Sequence, residues 1–345
     1  MRNITSLFVI ILGLLVAGCG GGQQGQGSTS RIRVDGSSTV FPITQAVVEE
    51  YMQSQQGVRV SASISGTGGG FEKFLRGETA INDASRPITG SEIQLAEENN
   101  IGFIELPVAY DGLAVVAHPD NDWASCLTTE ELEMIWEPNS SVETWSDIRS
   151  EWPDEPISLY GPGTASGTYD YFTEAIVGES GASRTDFSAS EDDNVLVQGV
   201  SGDDYSLGFF GLAYYENNQD QLKIIAVDDG NPDNGEGCIE PSQETIENGT
   251  YQPLARPLFI YVSANQAENS AVSDFVNYYL ENVGALVTDV GYIPLSDEAY
   301  QLAQNRFESR VTGTMLGEGV DPVGINVEQL LRSSQSSSGQ QPASE

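Results

Sequence analysis

The sequence predicts an α/β protein of two lobes, and three observations carry that prediction. Three strand–loop–helix units of one kind occur along the chain, each a short apolar run, a Gly/Ser/Thr loop and an amphipathic stretch. The 345 residues, 39% of them apolar, suffice for two cores of roughly 100–150 residues each. Two nearly continuous apolar runs, residues 108–117 (VAYDGLAVVA) and 257–262 (PLFIYV), bracket the middle of the chain. They suit a pair of crossovers between lobes, and equally well a pair of plain core strands.

In chain order, Met1-Arg2-Asn3 gives a positive start, and residues 7–17 form an apolar run broken by Gly13. That run is too short to span a bilayer and reads as a signal-peptide core. Small residues precede Cys19, and GGGQQGQGSTS follows it. This is the pattern of a bacterial lipobox, with residues 1–18 the leader, Cys19 the lipidated first mature residue and 19–30 a tether too polar to bury surface. Export follows, with a lipid anchor to the membrane. Residues 31–34 read as the first strand. DGSSTVF follows, then a helix with Pro42 near its first turn and Ile43, Ala46, Val47 and Tyr51 on one face. Residues 58–64 alternate like a second strand, SGTGGG follows, and Phe71 opens a second helix. Residues 157–160 make the third strand, followed by GPGTASGT and a helix over 169–177. Cys126 and Cys238 have no accompanying His or Cys cluster. In an exported chain the pair reads as a disulfide, closing a long loop for about 4 kcal/mol. The Ser- and Gln-rich end, residues 333–345, reads as disordered.

Charge narrows the function. Fourteen Lys and Arg against 51 Asp and Glu leave a net −37, which offers no basic footprint for nucleic acid. The carboxylates are spread along the chain and serve solvation. A helix N-terminus leaves N–H groups unpaired at a partial positive charge, so Gly, Ser and Thr there can surround an anion with donors. The chain has three such places: Gly36 to Val40, Ser65 to Gly70, and Ser166 to Thr168. One alone is an ordinary cap or turn; three point to a shared oxyanion. No GxxxxGK[ST] occurs, so a P-loop is excluded. The one histidine, His118, sits at the end of an apolar run before Pro119, so neither a serine nucleophile with its base nor a metal hydrolase is supported. Binding without turnover, with no cofactor, is the reading left.

The motifs DGSSTVFPI, SGTGGGFEKFLRGE, INDASRPI and GPGTASGTYDYFTEAI, in that order and behind a lipobox, resemble the PstS-type phosphate-binding proteins, the substrate-binding components of bacterial phosphate ABC transporters. The resemblance covers roughly residues 31–330. It implies a two-lobed periplasmic-binding-protein fold of type II with a hinge, and a dehydrated phosphate in the interlobe cleft bound by hydroxyls, N–H groups, an Arg and an Asp. Residues 31–112 with 258–332 would form lobe 1 and 113–257 lobe 2. The protein would act as a monomer that delivers phosphate to its permease subunits. Carried onto this chain, the contacts fall on Ser38, Thr39 and the N–H of Val40, on Thr67 or its competitor Ser65 with Gly68 alongside, and on Ser166, Gly167 and Thr168. The arginine of better-known members would stand four residues before Ser166, where this chain has Pro162, so Arg184 is expected to supply the charge. The aspartate of some members falls near Ser85, so Ser85 and Arg86 are expected at the anion. Asp83 and Asp186 are the candidate acceptors for the proton of HPO₄²⁻. An acceptor in the site would separate phosphate from the competing reading, another tetrahedral oxyanion such as sulfate.

Overall fold

The computed structural model describes residues 30–55, 57–164, 166–190, 192–316 and 326–338. The expected leader, Cys19 and the tether up to residue 29 lie outside these, as do residues 339–345 of the expected tail.

Ten strands form one curled sheet among the described residues. They are β1 (Ser30–Gly36), β2 (Val58–Ile64), β3 (Ile81–Ala84), β4 (Phe103–Ala117), β5 (Cys126–Thr128), β6 (Ser158–Pro162), β7 (Ser188–Ser190), β8 (Ser206–Gly211), β9 (Lys223–Asp228) and β10 (Ala255–Ser263). The order is β2-β1-β3-β10-β4-β8-β6-β7, with β9 joining β4 to β5. β1 runs parallel to β2 and β3, and β6 runs parallel to β7 and β8. Parallel neighbours need helical crossovers, which the amphipathic stretches of the sequence supply.

β4 joins the two halves. All fifteen of its residues are buried. It pairs with antiparallel β10 as far as Gly112, opposite Ala255, and from Leu113 onward with β8. The two apolar runs are therefore core strands, and β4 is also a crossover. Each half has its own aromatic core: Phe71 packs edge-on against Tyr261 at 4.8 Å in the first, and Trp136 against Phe209 at 4.9 Å in the second. Truncating any of these to Ala would cost about 3–5 kcal/mol. Cys126 and Cys238, 112 residues apart, are bonded with Cα atoms at 5.9 Å, as the sequence predicted.

Two expectations need correction. The second helix spans Gly66–Leu75, so the glycine run belongs to the helix rather than to a loop before Phe71. Its glycines serve contact. A Cβ on Gly70 would lie 2.0 Å from Asn82 Oδ1 and 2.5 Å from Gly36 Cα, so this helix end packs directly on β1 and β3. Residues 333–338, expected in the disordered tail, continue the helix Val327–Ser338. Buried Val327 and Leu331 anchor that helix, and Arg332 ties it to Glu298 while pairing with Glu328 one turn back in the same helix.

Candidate functional site

Strands β1, β2 and β3 of one half and β6 of the other are followed by segments that converge at one place. They enclose a cavity of about 220 Å³ lined by Ser38, Thr39, Thr67, Ser85, Arg86 and Gly167, with Ser37, Gly66, Asp170, Tyr171, Glu174, Ser180 and Arg256 completing the walls. The first six come from all four motifs singled out in the sequence.

The first loop is shaped by Gly36, whose φ of +145° favours glycine and where a Cβ would fall 2.1 Å from the Asp83 carbonyl oxygen. That carbonyl accepts the Ser37 N–H at 3.0 Å. Ser37 Oγ in turn accepts the N–H of Thr39 at 3.1 Å. The Thr67 and Ser85 hydroxyls lie 3.1 Å apart, and the Ser85 N–H donates to Thr67 Oγ1 at 3.2 Å. Ser65, at the N-cap of the Gly66–Leu75 helix, does not cap it, because its hydroxyl is turned onto Asp35. Burial alone would raise the Asp35 carboxyl, but bonds from Lys73, Ser63 and Ser65 outweigh it and hold it below the usual range. With its cap diverted, the helix presents an N-terminus at the Gly66–Thr67 wall, where an anion is favoured.

Across the cavity, the Gly167–Val177 helix comes close to the first loop. A Cβ on Gly167 would lie 2.4 Å from Thr39 Oγ1 and 3.2 Å from the Thr39 nitrogen. The glycine is thus required by a contact between the two walls; its own backbone is helical.

Arg256 bridges these walls from the floor. It stands on β10 opposite Asp111 of β4, beside the point where β4 leaves β10. Its Nη2 donates to Asp111 and to Thr39 Oγ1, both at 3.4 Å. Its guanidinium carbon lies 3.7 Å over the Tyr171 ring, a stacked arrangement that suits Arg. Burial pushes the Asp111 carboxyl up, and Arg256 pulls it back. Burial also raises the Asp170 carboxyl; Arg256 opposes the rise and Glu174 adds to it. Arg86 is already engaged, donating two bonds of 2.9 Å to the Glu92 carboxylate.

Several predicted contacts lie elsewhere. Arg184 does not line the cavity: it forms a double salt bridge with Asp186 and donates to the carbonyls of Ile135 and Val142. It staples neighbouring segments together, and Asp186 is largely exposed. Asp83 is fully buried behind the first loop, accepting from Thr44 at 3.0 Å, and burial raises its carboxyl to about 8. Val40 is buried and its N–H faces Ser37 Oγ at 3.4 Å. Ser65 is taken by Asp35. Ser166 caps its helix by accepting the Thr168 N–H at 3.2 Å. Gly68 and Thr168 do not line the cavity, although Gly68 stands next to Arg86, whose Nη2 would be 3.8 Å from an added Cβ.

Sequence reasoning preferred Arg184 to Arg256, which with Arg149 and Lys223 was among the other cations of that lobe, and it missed Asp170. A signal for Arg256 existed: Asp111 is the one charged residue inside the first apolar run, Arg256 immediately precedes the second, and antiparallel pairing of the two runs sets them opposite each other. Among the described residues no group of three His, Cys, Asp or Glu side chains is placed to hold a metal.

A family model described as a PBP superfamily domain matches residues 22–283. The chain is 48% identical over 334 residues to Protein SphX of Synechocystis, covering 96% of each chain. It is 37% identical over 299 residues to the phosphate-binding protein PstS of Staphylococcus saprophyticus, covering 86% of this chain and 90% of that one. A crystal structure described as a possible phosphate binding protein from Planctomyces limnophilus superposes with a TM-score of 0.77 at 44% identity, over 81% of this chain and 98% of that one.

Proposed function

The chain belongs to the PBP superfamily and, within it, to the PstS-type phosphate-binding proteins, and from that premise we propose that its cleft cavity binds inorganic phosphate for delivery to an ABC permease. It is a binding protein and not an enzyme. The observation that carries the reading is the meeting of Thr39, Gly167 and Arg256, one group from each wall and one from the floor.

In this reading Thr39, Thr67 and Ser85 donate hydroxyls to the phosphate oxygens. The helix N-terminus at Gly66–Thr67 and the backbone beside Gly167 add dipole and N–H groups, and Arg256 supplies the charge assigned to Arg184 from the sequence. Arg256 holds Asp111 by long bonds, so its guanidinium has donors to offer an anion. Asp170 takes the role of proton acceptor in place of Asp83 and Asp186, because it is the aspartate on the cavity wall. Facing HPO₄²⁻ it receives the P–OH; facing sulfate, which has no proton to give, it repels.

Residues 31–112 with 258–332, and 113–257, are the lobes that close on the ligand, with the β4 and β10 segments around Gly112 and Ala255 as the hinge. Closure brings Gly167 onto Thr39 and excludes water. The lipobox at Cys19 supports export and a lipid anchor, with the monomeric receptor held near its permease.

Calorimetric titration of the tether-free protein with phosphate, then with excess sulfate, tests the reading. Tight 1:1 binding that sulfate does not displace is the expected result. Because burial raises Asp170, affinity should fall as pH drops through its elevated titration range, where the acceptor becomes protonated. Equal sulfate affinity would refute the acceptor assignment, and no phosphate binding would refute the function.

A further inference from the structure

The phosphate cavity does not end at the anion. A second chamber of about 250 Å³ adjoins it, sharing Ser85, Arg86, Tyr171, Glu174 and Arg256 with the first. Its remaining walls are Pro87, Ala175, Pro253, Ala255 and Pro257, apolar residues of which three are prolines with restricted backbones. The combination is an anion cradle with hydroxyl donors on one side and a rigid apolar recess on the other. Arg256, stacked on Tyr171, forms the boundary.

We propose that this recess receives the organic substituent of a phosphonate whose phosphoryl group occupies the anion cavity, so that the protein also binds small phosphonates. The inference rests on the phosphate reading above. A phosphonate monoanion keeps one P–OH near neutral pH for Asp170 and exchanges one P–O for P–C, which leaves that direction free for an apolar group. Glu174, on the wall common to both chambers, disfavours an anionic substituent. A small neutral alkyl or aryl group is therefore the class that fits, and burying it contributes through the hydrophobic effect.

The test is calorimetric titration with inorganic phosphate, methylphosphonate and phenylphosphonate, on the wild type and on Ala175→Phe and Ala175→Leu, which fill the recess without touching the anion donors. The wild type should bind phenylphosphonate in competition with phosphate and more tightly than methylphosphonate. Each substitution should weaken phenylphosphonate by about 10-fold or more, about 1.4 kcal/mol, while phosphate affinity, which also reports folding, stays within about twofold. Phosphate binding without phenylphosphonate binding in the wild type would overturn the inference alone. Equal weakening of phosphate and phenylphosphonate in both variants would also overturn it. Failure of the wild type to bind phosphate would remove the reading beneath it.

Discussion

The two walls of the cleft meet the ligand with different chemistry. On the β1–β3 side the facing groups are short hydroxyls, Ser38, Thr39, Thr67 and Ser85, on loops and a helix N-terminus that Gly36 and Gly70 let pack against the sheet. On the opposite side and the floor they are Asp170, Glu174 and Arg256, on a helix and on β10, beside the Gly167 backbone. The first wall offers many neutral donors and holds its one charge, Arg86, on Glu92. The second carries the charges that, in the proposed reading, balance a dianion and read its proton. In the proposed reading the hydroxyl wall would recognise a tetrahedral oxyanion in general, and the charged side would decide which one and complete the site on closure.

If that division is right, the largest loss follows removal of the floor cation. Arg256→Ala should weaken phosphate binding by about 100-fold or more, since it leaves Asp111 and the anion without their shared partner. Arg184→Ala should leave affinity within about twofold and lower the melting temperature, because its partners are Asp186 and two carbonyls far from the anion. Equal affinity losses in the two variants, measured by calorimetry, would dissolve the distinction.

Next in size is Gly167→Ala. Its Cβ would stand 2.4 Å from Thr39 Oγ1, so the walls could not close fully, and affinity should drop about 10- to 100-fold with no loss of thermal stability in the ligand-free protein. Overpacking of this kind costs about 1–3 kcal/mol. Unchanged affinity would mean that the walls need not meet.

The hydroxyl wall should respond more gently. Thr67→Val and Ser85→Ala should each cost about 10-fold, the worth of a hydrogen bond to a charged group. The double variant should lose less than the product of the two, because the hydroxyls bond each other at 3.1 Å. Strict additivity would argue that they act separately.

Much of the first wall was legible in the sequence, and little of the second. A Gly/Ser/Thr cluster at a strand end is a local signal, so the loops at Gly36, Ser65 and Ser166 could be found residue by residue. Within them, assignment slipped where packing decided it: Ser65 went to Asp35, and Val40 into the core. Arg256 reaches its place through strand pairing with Asp111, 145 residues away in the chain, and Arg184 drew the assignment by lying closer to the SGT motif in sequence. Asp170 looked like any acidic residue in the first turn of a helix. Asp83 had the expected residue type, but it lies behind the loop.

That last residue supplies the smallest expected effect on binding. Burial raises the Asp83 carboxyl to about 8 in the folded protein, above its ordinary value of about 3.9. Between these limits the native state holds a proton that the unfolded chain has released, so this group's contribution to stability is complete below about pH 4 and is lost as pH rises towards about 8. Asp83→Asn should therefore lose less stability than the wild type between pH 5 and 8 in denaturant titrations, with phosphate affinity unchanged. Parallel stability profiles would show that the carboxyl is ionised in the fold.

The most direct test of the account is the position of the anion itself, in a crystal structure determined with phosphate. The account predicts phosphate between Thr39, Thr67, Ser85 and the Gly167 backbone, with Arg256 donating to it at about 2.8 Å and Asp170 within reach of its proton. Phosphate seated against Arg184, or bound in the cleft with Arg256 still directed only at Asp111, would contradict it.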